Sequence, residues 1–473
     1  MFGLETDVFI LLSISLLCAC AFEFVNGFHD TANAVATVIY TNSLKPTVAV
    51  VWSGVWNFIG VLLGGIGVAM GIVNLLPVEL LVDQNVYHSI AMVLALLLSA
   101  IVWNLGTWYF GLPSSSSHTL IGSILGVGLA FSTMPESGSN TAVNWEKATE
   151  TFQALLLSPL LGFSLVIVLM FLLRRLVSEN VKEQIFKEPK MRTPPPLWIR
   201  SILVITCTLV SFFHGSNDGQ KGVGLVMLIL IGITPAYFAL DNTRDPLTMQ
   251  GNVVRVEQII SKIDAGRLSK QNQDRLTATK AELNDIRTLL AGPLNDGKLP
   301  NERRLDVRRD LLLINSNVKK ILDSGEANLS ETDRKELARN LNEKEGLRRF
   351  TDYAPTWVIL MIALSLGLGT MVGWRRIVVT VGEKIGKQHL TYAQGASAEL
   401  VAASTIGLAS ALKLPVSTTH VLSSGIAGSM VANKGIKNLQ AGTVRSIALA
   451  WILTLPVSIL LSFTLYILFR WLL

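Results

Sequence analysis

The sequence is short of charge. Only 16% of its 473 residues are Asp, Glu, Lys or Arg, against 50% hydrophobic, and its mean hydropathy is +0.47. A soluble protein of this size needs a more charged surface, so the composition excludes one and points to a polytopic membrane protein. Cysteine is scarce too. Cys18, Cys20 and Cys207 all lie in apolar runs, which excludes a disulfide framework and a thiolate zinc site. The first apolar run has no basic stretch before it and contains Glu23, which argues against a cleavable signal peptide. The net charge of +6 makes no case for nucleic acid, because the basic residues flank apolar runs instead of forming one patch.

What is present is a series of apolar stretches, each to be compared with the roughly 20 residues that cross about 30 Å of hydrocarbon. They run from Val8 to Tyr40, Thr47 to Leu75, Val86 to Tyr109, His118 to Phe131 and Phe152 to Leu173. A second set runs from Ile202 to Tyr237, Pro355 to Trp374, Tyr392 to Leu412, Thr419 to Val431 and Ser446 to Leu472. Each set has a long member broken at a glycine (Gly27, Gly215) and a short fourth member.

Loop charge orients them. Arg174, Arg175, Lys182, Lys187, Lys190, Arg192 and Arg200, then Arg375, Arg376, Lys384 and Lys387, with Lys45, Lys434 and Lys437, mark cytoplasmic turns. The acidic turns with Glu5 and Asp7, Glu79 and Asp83, and Glu136, Glu146 and Glu150 fall outside. The first set then starts outside and the second inside, an inverted-topology repeat of about 5+5 segments with broken or re-entrant helices. The expected fold is an all-α polytopic membrane protein with these parts: 1–173, first repeat; 174–200, basic cytoplasmic linker; 201–240, start of the second repeat; 241–352, a hydrophilic helical insert expected on the periplasmic side; 353–473, the remainder. Helix-like spacing within the insert covers Val253–Ile263, Gln271–Leu290, Asn301–Leu322 and Ser330–Phe350.

Two motifs recur between the sets. Gly27-Phe28-His29-Asp30-Thr31-Ala32-Asn33-Ala34 matches His214-Gly215-Ser216-Asn217-Asp218-Gly219-Gln220-Lys221-Gly222 at an offset of 188 (27 to 215), pairing Asp30 with Asp218 and Asn33 with Lys221. Polar groups at membrane depth are costly unless they pair, bind something or line a wet cavity. Leu112-Pro113-Ser114-Ser115-Ser116-Ser117-His118-Thr119 matches Leu414-Pro415-Val416-Ser417-Thr418-Thr419-His420-Val421 at an offset of 302 (113 to 415). Proline stops one segment, hydroxyls cap the next, and the new helix start offers N–H groups and a positive dipole end. Two such starts facing each other would make an oxyanion cradle suited to phosphate or sulfate.

These four motifs resemble the inorganic phosphate transporter (PiT) family, over essentially the whole chain outside 241–352. The run Trp103-Asn104-Leu105-Gly106-Thr107-Trp108-Tyr109-Phe110-Gly111-Leu112-Pro113 and the run Gly219-Gln220-Lys221-Gly222 resemble its bacterial low-affinity branch. The resemblance implies cation-coupled phosphate uptake across the bacterial inner membrane, commonly as a homodimer. In that branch it implies coupling to protons and carriage of phosphate as a neutral metal-phosphate complex. It carries cation-site roles to Asp30, Asn33 and Asp218 and departs from the family at Lys221, where sodium-coupled members have Asn. Glu399 also matches a glutamate seen in many members.

The expected substrate-binding residues are Ser115, Ser116, Ser117, Ser417, Thr418, Thr419 and Lys221, and the coupling-ion residues are Asp30, Asn33, Asp218, His29 and Glu399. No resident cofactor and no dedicated protein metal site is expected; the coupling ion is a proton, with sodium as the alternative, and a divalent metal travels with phosphate. His118 and His420 orient their loops or act directly, and Glu23 is a further carboxylate at depth. An intramembrane aspartyl or serine hydrolase is the other class. Redundant hydroxyls that obey the repeat argue against it, since a nucleophile needs one activated serine. A passive channel is a third reading, and sulfate is the second substrate.

Overall fold

The computed structural model describes residues 4–73, 75, 85–135, 143, 145–189, 193–292 and 298–473, without the side chains of 146 and 147. Glu79, Asp83, Glu136, Lys190 and Arg192, used above to orient the spans, lie outside the described residues or, like Glu146, have no described side chain. The chain is all-α. Two compact units are present: 7–80, 87–226 and 355–473 form the membrane unit, and 227–354 with the described parts of 1–6 and 81–86 form the other.

In the membrane unit the first set gives α1 (Thr6–Tyr40), α2 (Pro46–Leu63), α3 (Gly67–Val73), α4 (Val86–Tyr109), α5 (Ser116–Ser132) and α6 (Trp145–Leu176). After a short α7 (Glu179–Ile185), α8 (Leu197–Ile233) opens the second set. α1 and α8 run unbroken through Gly27 and Gly215, where the sequence reading places breaks, because the glycines serve close helix packing there instead of ending the helix. Six described helices are long and apolar enough to cross a membrane, and a bent pair makes a seventh candidate. The stretch from Thr47 to Leu75, read above as one, breaks between α2 and α3 at Gly65, whose φ of +78° favours glycine.

The second unit is a helical module: α9 (Pro235–Phe238), α10 (Pro246–Ile260), α11 (Lys270–Ala291), α12 (Asn301–Asp323) and α13 (Glu331–Leu341). Val253, Val256, Leu283, Ile286, Val307, Ile314 and Leu337 form its core at helical spacing. Ser330 caps α13 by accepting from Asp333 N, and the helix stops at Leu341, short of the expected Phe350. Chain entry and exit meet here: Asp241 N donates to Phe350 O at 2.9 Å, and buried Arg308 donates to Ala239 O at 2.9 Å and Thr351 O at 3.0 Å.

The second set continues with α14 (Thr356–Thr370), α15 (Arg375–Val379), α16 (Tyr392–Ala411), α17 (Thr418–Lys434) and α18 (Ala441–Leu472). The basic stretch 375–384, read above as loop, is helical, bent 55° from α14. Gly373, at φ +71°, supplies the corner. Thr391 and Gln394 form a capping box that starts α16.

Some of the packing recurs between the two sets, although α16 packs closely on both α17 and α6 and, among the described residues, α4 does not match that closeness in the first set. α5 packs on α18 and α17 packs on α6, while α2 and α14, the second helix of each set, pack on each other. A Cβ at Gly27 of α1 would overlap the Leu366 carbonyl of α14, and one at Gly215 of α8 would overlap the Asn57 carbonyl of α2. The twin glycines therefore bring backbone onto backbone at the level of the polar motifs, where no side chain could intervene.

Candidate functional site

The starts of α5 and α17 meet. Ser115 accepts from His118 N and Ser417 from His420 N, both at 3.1 Å, so these two hydroxyls are engaged as caps. Just inside the starts, the His118 and His420 rings lie 4.5 Å apart, and His420 stacks on Trp451 at 3.9 Å. The motif histidines thus hold the helix starts against each other.

Three of the four inner hydroxyls meet the carboxylates of α1 and α8, while Ser117 donates to Val416 O at 2.8 Å, and several of these contacts repeat across the halves. Ser116 donates to Asp30 Oδ2 and Thr418 donates to Asp218 Oδ2, each at 3.3 Å. Asn33 donates to Asp30 Oδ1 at 3.4 Å and to Thr419 at 3.1 Å. At the twin position Lys221 Nζ donates to Asp218 Oδ1 at 2.6 Å and to Ser117 at 2.5 Å. It also donates to Val416 O at 3.0 Å, and Thr419 donates to Asp30 Oδ1. Lys221 is 2% exposed, Asp218 1% and Asp30 2%. A neutral amide in one half is replaced by an ammonium in the other, on the same pair of neighbours.

His29 belongs to the cluster. Its Nδ1 lies 3.4 Å from Asp30 Oδ1 and its Nε2 3.2 Å from Thr107 Oγ1. That hydroxyl already donates to the Trp103 and Asn104 carbonyls, so Nε2 supplies the hydrogen to it. Only a second proton would then make Nδ1 a donor to Asp30. Glu399 is not in the cluster. Fully buried on α16, it accepts from Thr206 of α8 at 2.5 Å. Glu23, also fully buried, accepts from Asn26 at 3.3 Å and lies against Gly222.

Sequence reading did not assign His214 or Asn57. His214 Nε2 reaches Asp218 Oδ2 at 3.4 Å and Asp30 Oδ2 at 3.7 Å, and its Nδ1 meets Asn57 Oδ1 at 3.0 Å. One imidazole therefore bridges the two halves' carboxylates. Its twin position holds Asn26, so the repeat itself gave no signal for it. Asn57 has no motif around it.

Residues 26–462 match the model of the phosphate transporter family (PHO4). The chain belongs to that family. It is 42% identical to the low-affinity inorganic phosphate transporter PitA of Escherichia coli K12 over 493 aligned positions, covering 98% of this chain and 97% of that one. It is 29% identical to a probable low-affinity inorganic phosphate transporter of Bacillus subtilis, covering 96% and 95%. Among solved structures it resembles one titled the sodium-dependent phosphate transporter, with a TM-score of 0.55 and 19% identity over 98% of this chain and all of that one, a likeness of fold. The family is one of transporters, so the hydrolase readings fall and the chain is a multi-pass membrane transport protein, not an enzyme.

Proposed function

We propose that this protein imports inorganic phosphate by symport with protons, with phosphate held between the starts of α5 and α17 and accompanied by a divalent cation. The observation that carries the reading is Lys221. It occupies, as a fixed charge, the place where the other half has an amide able to serve a bound ion, on the same carboxylate and hydroxyl neighbours. One cation position is thus filled by the protein itself, and His29 beside Asp30 is placed to accept a mobile proton. The membrane relatives' names support phosphate as the cargo.

Sodium symport is the second reading. It is favoured by Asn33 Oδ1, a buried oxygen with no donor among the described residues and free to serve a hard cation. Phosphate uptake by purified protein in liposomes, under separately imposed proton and sodium gradients, tests the two. The proposal expects uptake to follow the proton gradient in sodium-free buffer. Dependence on sodium at fixed pH would replace it with the second reading.

A further inference from the structure

The orientation of His214 is determined by a chain of hydrogen bonds. Thr370 Oγ1 donates to Leu366 O at 2.8 Å, so toward Asn57 it can only accept. It accepts from Asn57 Nδ2 at 2.9 Å, which turns the amide oxygen of Asn57 to His214. That oxygen takes the Nδ1 hydrogen at 3.0 Å, so the neutral ring carries its lone pair on Nε2. Nε2 is buried and, among the described residues, faces two acceptors, Asp30 Oδ2 and Asp218 Oδ2. With the ring neutral, three acceptors converge with no hydrogen between them, and a buried set of this kind calls for a cation, either a second ring proton or a metal ion.

The spacing decides which cation. The three ligand atoms lie within 4.8 Å of one another, and the two distances from Nε2 are 3.4 and 3.7 Å. Bond lengths of about 2.0–2.2 Å in a tetrahedral site put neighbouring ligands roughly 3.3–3.6 Å apart. One imidazole with two carboxylates suits zinc or manganese; magnesium prefers an all-oxygen octahedron. The arrangement around Nε2, with its opposite ring N–H held by a buried amide, is what a metal-ligating histidine requires. Charge points the same way. With His214 neutral, Asp30, Asp218 and Lys221 sum to −1, and a phosphate dianion alone would bring the site to −3 at membrane depth. A divalent cation returns it to −1.

We infer that Asp30, Asp218 and His214 form a three-ligand site for a divalent transition metal ion, which enters with phosphate and is bridged to the cradle by a phosphate oxygen in the remaining position. The inference rests on the phosphate-import reading and adds its metal ligands and metal class. His214 is the specificity-determining ligand, and Asn57 with Thr370 positions it.

Manganese binding to the purified full-length protein, followed by electron paramagnetic resonance without phosphate, tests the site directly. About one ion per chain is expected. His214→Asn, which installs the residue of the twin position, should abolish tight binding. Asn57→Leu, which touches no ligand atom of the metal, should weaken it roughly 10- to 100-fold. His214→Gln, with a matched size-exclusion profile, guards against loss of fold. In liposomes, labelled manganese and labelled phosphate should enter together. His214→Asn should lower manganese- or zinc-supported uptake at least tenfold relative to magnesium-supported uptake. Binding unchanged in both His214→Asn and Asn57→Leu would overturn the site. So would full-rate phosphate uptake in chelator by a protein that binds no manganese, an outcome that leaves phosphate import itself intact.

Discussion

Replacing Lys221 by Asn makes the two halves alike at the place where they differ most in charge. In the wild type the ammonium holds Asp218, Ser117 and the Val416 carbonyl at 2.6, 2.5 and 3.0 Å. The Asn33 twin shows what a shorter amide retains: two weaker contacts, at 3.4 and 3.1 Å, and no charge. The substitution leaves Asp218, 1% exposed, without its cation. Removing one partner of a buried ion pair costs about 3–5 kcal/mol, a factor of roughly 10² to 5 × 10³ in the population of any state that needs the pair. Either a proton or a sodium ion must then neutralise Asp218 in each cycle. The assay is phosphate uptake in liposomes with proton and sodium gradients set separately. The mutant should lose proton-driven uptake by at least a hundredfold, and added sodium should restore part of it. Lys221→Met, which keeps the length but offers Asp218 neither charge nor amide, should show no sodium rescue. Proton-driven, sodium-indifferent uptake at the wild-type rate by Lys221→Asn would refute the idea that the lysine stands in for a bound ion.

Three further outcomes are expected. Alanine at Ser116, Ser117, Thr418 and Thr419 together should weaken apparent phosphate affinity at least tenfold, since one hydrogen bond to a charged group contributes about 1.5–3 kcal/mol; unchanged affinity in the quadruple variant would place phosphate elsewhere. Gly215→Ala drives a methyl into the Asn57 carbonyl and so both destabilises the membrane unit, by about 1–3 kcal/mol, and shifts the amide that positions His214; a thermal melt and uptake at wild-type levels would contradict this. In the helical module, burial pushes the Glu282 carboxyl up to about 7, with the Asp310 charge adding to the effect. The folded module therefore holds a proton there that the unfolded chain releases near pH 4.5, and stability falls as pH rises from about 5 through 7. Hydrogen exchange on α11 and α12 in the full protein should show that loss, and Glu282→Gln should remove its pH dependence.

Much of this molecule was legible because it repeats. Asp30 and Asp218, or Ser116 and Thr418, could be paired by offset alone, and the contacts then repeat as the offsets do. The helices were legible from apolar length, with misses where polarity hid a continuing helix: Arg375 and Arg376 read as loop because charge was taken to end the span. The site was less legible where symmetry fails. His214 joins carboxylates of both halves and takes its orientation from Asn57, 157 residues away, and no local pattern records such a contact. Ser115 and Ser417 looked like their neighbours in sequence, but as first cap residues their hydroxyls turn back onto the helix. Glu399 shares membrane depth with the cluster without joining it, because depth read from sequence does not say which helix a side chain faces.

The meeting of Asp241 with Phe350, tied by Arg308, has a consequence for how such a chain is assembled. A chain that leaves and returns at one point has its closure entropy offset by the module's own fold, so the chain on either side gains little freedom or strain whatever lies between. The module is in effect a cassette on a stem. A fluorescent reporter of similar end-to-end spacing, grafted between Asn242 and Arg349, should report expression and membrane insertion, and the same stem accounts for how a hydrophilic module can interrupt a membrane chain between two of its helices.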